Sequence, residues 1–148
     1  MGSAAFSRIE TILARLDYGA DLLDAIAQVT REHRVALASF RAIGALRRGR
    51  LSFYDQPTAD PHNRTYDPME LEEPLEIVSL LGTVSLREGE QSVHTHACLS
   101  DSQGRCFGGH LERGCTVFAC DLVLDGLEGP ALERGCDEVT GLWLWESF

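Results

Sequence analysis

Two short turn signals in the second half of the chain limit its fold more than any other feature. Arg87-Glu88-Gly89-Glu90 separates the apolar run at 75–86 from a second run at 91–100, and Asp101-Ser102-Gln103-Gly104 follows at once. Connections this short join antiparallel neighbours, because a parallel pair needs a crossover of a dozen or more residues. Further strand patterns cover 8–16, 35–43, 45–54, 115–124 and a short terminal stretch at 142–145. Gly44 separates the second and third of these, and Gly82 interrupts 75–86 as a bulge would. Residues 55–68 carry three Pro among Asp, Asn and Thr, which predicts a surface loop with His62 in it.

Only one helix is legible. Tyr18-Gly19-Ala20 makes a turn, Asp21 is placed to cap the helix N-terminus, and Asp24 supports its first turn. Leu22, Ile26, Val29 and His33 then form one helical stripe, ending at a His33 that reads as a capping or interfacial residue instead of a ligand. The expected class is α+β, a mostly antiparallel sheet with one main helix, in a single domain over 1–148.

Charge excludes several functions. The 148 residues hold 13 basic and 23 acidic side chains, a formal net charge of -10, and every basic residue is Arg. Without Lys there is no Schiff base and no phosphate-loop lysine. The acidity argues against general nucleic-acid binding, which rests on phosphate contacts. The N-terminus has no apolar signal region, and no run approaches the ~18 residues of a membrane span, so the expectation is a cytoplasmic protein with no membrane partner. The five Cys (98, 106, 115, 120 and 136) form no C-x-x-C pair and read as small buried thiols in a reducing compartment.

Three of the five His fall close together: His94 and His96 in V-H-T-H-A, and His110 in F-G-G-H-L. In a strand, residues i and i+2 share a face, so His94 and His96 project together. The turn at 101–104 can return His110 beside them, and Gly108-Gly109 lets the backbone approach closely. Three imidazoles suit Zn2+ or another first-row divalent metal and leave a tetrahedral ion one open position. Spacing alone leaves two readings standing, a metal site and packed strand histidines. Cys98, two residues beyond His96, is either a fourth ligand or a small filler, with water as the alternative ligand.

The ordered set of motifs is more specific than any piece. G-A-D-L-L-D-A-I, A-I-G-A-L-R-R-G-R-L-S-F-Y-D, E-E-P-L-E-I-V-S-L-L-G-T-V-S-L, V-H-T-H-A-C-L-S-D-S-Q-G-R and F-G-G-H-L-E-R-G-C-T-V together resemble the plants-and-prokaryotes-conserved (PPC) domain over most of 8–125. The resemblance implies an α+β fold, a homotrimer, and a metal site on His94, His96 and His110. More distantly, the H-x-H pair with a following G-G-H resembles α-acetolactate decarboxylases, which implies lyase-type chemistry on a small carbonyl- or carboxylate-bearing molecule if the chain is an enzyme.

Two further residues are catalytic candidates. Glu76 enters an apolar strand and reads either as an Arg partner or as a general acid or base beside the metal. Arg48, in the cluster Arg41, Arg47, Arg48 and Arg50, reads either as a surface charge or as a bidentate grip on a substrate carboxylate. Arg48-Gly49-Arg50 matches the core of the AT-hook, a minor-groove element of plant PPC proteins. Leu51 follows it in place of Pro, within a strand pattern, so a DNA-associated regulatory module without an AT-hook is a weaker alternative; a metal-stabilised structural trimer is the other. Arg105, Phe107 and Tyr54 are expected at the pocket mouth, and Trp143 and Trp145 in the core or a subunit contact. The acid surplus is concentrated in the half with the clustered histidines: 75–148 holds 4 Arg and 12 acids, against 9 and 11 in 1–74. That imbalance fits a protein hosting a cation.

Overall fold

The computed structural model describes residues 2–54, 56 and 66–146; His62 lies outside them. In chain order the elements are β1 (Ser7–Leu16), α1 (Leu22–Glu32), β2 (Ala38–Tyr54), β3 (Tyr66–Leu71) and β4 (Leu75–Arg87), then β5 (Glu90–Ser100), β6 (Cys106–Leu111), β7 (Thr116–Glu128), β8 (Arg134–Cys136) and β9 (Trp143–Trp145). The main sheet runs β1-β7-β2-β4-β5-β6, with β3 on β2, while β8 and β9 form a separate ribbon. These ladders are antiparallel, as the short turns require.

β2 is the spine. Its first half lies between β4 and β7, and its second half pairs with β3 and, through Leu51↔Leu111 and Ser52↔His110, with β6. Because β6 also pairs with β5, the ladder β2-β4-β5-β6 closes on itself. Alternation then sorts the side chains. Thr95, Ala97 and Leu99 of β5 face the core with Leu80, Val84, Leu111 and Leu122, while His94, His96 and Cys98 face outward.

α1 covers part of the core with Leu22, Ile26 and Thr30. Asp21 caps it, accepting from the N–H groups of Leu23 (3.1 Å) and Asp24 (3.2 Å), and also accepts from Gly114 N–H (2.6 Å), which ties the helix to the loop before β7. His33 is the C-cap and is exposed. Among the described residues no helix is long and apolar enough to cross a membrane.

Three expectations about strands are corrected. The two strands read around Gly44 are one continuous β2. Gly44 sits at φ +148 with β7 so close that an added Cβ would collide with the Ala119 carbonyl oxygen, so glycine carries the strand through instead of ending it. The interruption expected at Gly82 lies between Ile77 and Ser79; Gly82 is needed because the Phe40 ring fills the space a side chain would take. The loop read over 55–68 gives way to β3 from Tyr66, where Pro68 stands opposite Ser52 on β2. β6 and β8 carry no alternating apolar pattern and went unread.

Candidate metal centre

Register builds the site. On β5, His94 stands opposite Thr83 and His96 opposite Leu81 of β4. The β5–β6 hairpin then sets His110 directly opposite His96. Asp101 holds that hairpin shut, accepting from the N–H groups of Gln103 (2.8 Å) and Arg105 (3.0 Å) and from Arg105 Nε (2.5 Å), with Gly104 in the left-handed region at φ +77. The preceding β4–β5 turn is tighter still, with Glu88 (φ 54) and Gly89 (φ 77) as its only two residues. Both turns fix register, and a one-residue slip in either would send a histidine to the opposite face.

The three imidazoles converge. One ligating atom from each lies within 4.8 Å of the others, and the ring centroids are 5.3 to 5.5 Å apart. A tetrahedral ion with ~2.0–2.1 Å bonds needs nitrogens about 3.3 Å apart, which side-chain rotation can supply. Protonation state also fits. Burial, reinforced by Arg134 and the other two histidines, lowers His94 to about 4. Burial also lowers His110, with Glu112 pulling the other way and His96 adding to the fall. Neutral imidazoles are the form that ligates a metal.

That depression has a sign that can be measured. His94 is neutral in the folded chain down to about pH 4, whereas an unfolded histidine protonates near pH 6.5. The unfolded chain binds more protons in that window, so stability is full above about pH 6.5 and falls as the pH drops toward 4. The melting midpoint of metal-free protein, followed from pH 7 to pH 4, is expected to decline, and less steeply in His94→Gln.

Among the described residues the ligating group comprises these three histidines alone. Cys98 shares their face, opposite Ser79 and Gly108, but its thiol engages Cys106, and burial followed by that contact pushes it up. Cys115 and Cys120 are buried and raised to about 11, as inert packing thiols are.

Neither expected catalytic residue reaches the trio within the chain. The bulge after Ile77 does put Glu76 on the face of Ser79 and Thr83, which strict alternation would forbid, but Glu76 stands opposite Ser100. That is four residues past His96, about 13 Å along β5. It lines a different recess, with Arg47, Asp101 and Phe118. Arg48 stands opposite Thr116, donates Nε to Thr116 Oγ1 (3.3 Å) and lies 3.9 Å from Glu72. The expected mouth residues are also elsewhere. Arg105 is held by Asp101, Phe107 packs on the core, and Tyr54 donates to the Thr140 carbonyl (2.7 Å).

The residues that do flank the trio come from the C-terminal ribbon. Arg134, on β8, donates to Thr83 Oγ1 (3.2 Å), beside His94. Trp145 lies along Arg134, and Trp143 lies under Arg87 at 3.7 Å. Sequence reasoning missed Arg134 because it stands in no motif; only the alternation of Trp143 and Trp145 hinted that this segment packs on a sheet.

A small antiparallel α+β domain with an outward three-histidine cluster defines a class, and comparison with known proteins places the chain within it. The model of the Plants and Prokaryotes Conserved (PCC) domain matches residues 4–128, and the chain belongs to that family, the PPC family. A metal-containing protein from Archaeoglobus fulgidus is 39% identical, with a TM-score of 0.90 over 99% of this chain and 100% of that one. A PPC protein from Pyrococcus horikoshii is 32% identical, with a TM-score of 0.89 over 100% and 99%. A candidate DNA-binding protein from Ralstonia eutropha is 25% identical, with a TM-score of 0.79 over 90% and 89%. A bifunctional protein GlmU of a Synechococcus strain is 35% identical over 131 residues, which are 86% of this chain. The chain spans only 19% of that protein's length.

Proposed function

We propose that this chain is a metal-binding PPC protein whose His94, His96 and His110 hold one first-row divalent ion, zinc foremost, with one coordination position left for a small carbonyl- or carboxylate-bearing metabolite. The convergence of three imidazoles on the outer sheet face, two of them lowered by burial, carries this reading, and the metal-containing Archaeoglobus neighbour supports it. A bound ion of this kind supplies a Lewis acid that polarises a carbonyl oxygen. The chain's own part is to fix three ligands by strand register and, by burial, to lower His94 and His110 toward the neutral form. If the chain is an enzyme, lyase-type chemistry is the reading that the H-x-H and G-G-H motif order supports, and it rests on that order alone. Metal analysis of purified protein tests the proposal: about one ion per chain is expected, and protein that cannot be loaded with zinc, cobalt or nickel contradicts it.

Self-association as a homotrimer belongs to the same reading. The outward row Leu13, Val123, Arg41, Leu81, His96 crosses the sheet from β1 to β5, and Leu13, Ile43 and Leu81 on this face are all more than half exposed. Light scattering at micromolar concentration should return three times the chain mass; a monomer would contradict it.

A DNA-associated role is the second reading, favoured by the Ralstonia neighbour. The arginine cluster weighs against it, because Arg41, Arg48 and Arg50 each face a carboxylate, on Asp125, Glu72 and Glu70. Mixed-sequence DNA in a gel shift at low salt should give no complex. A complex whose affinity falls steeply with salt would revive the reading.

A further inference from the structure

Arg134 is the one buried basic residue among those described, 7% exposed. Its guanidinium donates to Ser85 Oγ (3.0 Å), Thr83 Oγ1 (3.2 Å) and the Trp143 carbonyl (3.0 Å), all neutral oxygens. Among the described residues no carboxylate lies within 4.0 Å of it, and the seven ion pairs that these residues form all take up other arginines. A buried cation ordinarily has an anionic partner, because leaving water is costly for a lone charge. The chain, with a net charge of -10, has no shortage of acids to supply one.

The surroundings show where an anion would come from. Two recesses, of about 620 Å³ and 200 Å³, meet at this residue. Both are lined by His94 and Arg134, the smaller also by His110 and Arg87, and among the described residues neither has an Asp or Glu in its wall. Three donors of the guanidinium are used, and a guanidinium has five. Leu144 lines both, and the larger recess adds Leu81 and Trp145, a wall suited to carbon and poorly suited to a bare inorganic ion.

We propose that Arg134 is the anion anchor of the site: the ligand is a small organic acid whose carboxylate is held by Arg134, whose apolar body lies against Leu81, Leu144 and Trp145, and whose neighbouring oxygen faces the three histidines. The last clause rests on the metal reading above; the carboxylate contact does not. The anchor takes the role expected of Arg48, which faces Thr116 and Glu72 instead. A site pairing a divalent ion with an unneutralised guanidinium selects against neutral and cationic ligands, and so names the charge of the substrate class.

Calorimetry on the zinc-loaded wild-type protein tests this, with pyruvate and 2-oxobutyrate as probes, their methyl esters as neutral isosteres, and inorganic phosphate. The acids should bind about tenfold to hundredfold more tightly than the esters, the range expected when a charge-assisted hydrogen bond is lost. Phosphate should bind more weakly than either acid. Arg134→Lys keeps the charge but loses the planar fork, and should lose most of the acid-over-ester preference. Esters binding as tightly as acids, phosphate binding more tightly than the acids, or no acid binding at all would each overturn the anchor. Should the lysine variant fail to fold, the acid–ester comparison on wild-type protein decides alone. The same comparison on metal-free protein separates the two claims. An acid preference that persists in protein unable to hold zinc sinks the metal reading and leaves the anchor standing, whereas zinc uptake without acid preference does the reverse.

Discussion

His94→Ala protein, dialysed against zinc beside the wild type, should retain little metal, with affinity reduced by about a hundredfold or more. His94 lines both recesses and is one of the three proposed ligands, so its loss would leave His96 and His110 as a bidentate pair. The variant should still fold, because the residue points away from the core that Thr95, Ala97 and Leu99 fill. His33→Ala is the matching control: that histidine caps α1 and is exposed, and its loss should leave the metal content unchanged. Atomic absorption on the two variants reads the difference directly.

The largest effect on stability is expected from a single methyl group. Gly44→Ala would place Cβ against the Ala119 carbonyl oxygen and 2.7 Å from Cys120 Cα, both backbone atoms of β7 that cannot rotate away. It would also force alanine to φ +148. Unfavourable backbone conformation and overpacking each cost about 1–3 kcal/mol, so a loss of about 2–5 kcal/mol is expected. That is a large fraction of the stability of a small domain. Gly89→Ala, at φ +77 with open space around it, should cost far less because only the conformational part remains. Denaturant midpoints of the two variants, compared with the wild type, measure the steric part as the difference between them. Near-equal losses would mean that β2 and β7 separate easily at Gly44.

How much of this was legible in the chain depends on what kind of signal each feature leaves. Turns are local, so Arg87–Glu90 and Asp101–Gly104 could be read directly, and with them the antiparallel β4–β5 pair and the chain reversal after it. The histidine pair followed from strand alternation, and its third member from the reversal at 101–104. β3 and β6 were hidden because their residues are held by pairing to a long partner: Pro68 and Gly108-Gly109 look like breakers in isolation and become tolerable beside β2 and β5. Gly44 and Gly82 look like interruptions in the sequence, yet the need for glycine arises from Ala119 and Phe40, 75 and 42 residues away in the chain. The bulge after Ile77 left no mark, and without it Glu76 could not be placed on either face. Arg134 was invisible for the same reason. Its importance comes from burial without a carboxylate partner, a property of the folded surroundings and not of the stretch Leu132-Glu133-Arg134-Gly135. Arg48 stood out in sequence because arginines cluster there, and clustering turned out to reflect pairing with Glu70, Glu72 and Asp125 along neighbouring strands.

The same contrast explains why the cysteines mislead. Cys98 lies two residues from His96, so sequence spacing offers it as a fourth ligand, but the hairpin gives it Cys106 as a neighbour. With Cys98 so engaged, and no carboxylate in the group among the described residues, an ion held by the three histidines would keep one position open, and the oxygen of the proposed ligand that faces the histidines depends on that opening.

X-ray absorption at the zinc edge of the loaded wild-type protein therefore tests the central claim most directly. Three imidazole nitrogens and one light oxygen at about 2.0–2.1 Å, with no sulfur, are predicted. A sulfur shell at about 2.3 Å would place Cys98 on the ion, close the site and contradict the account.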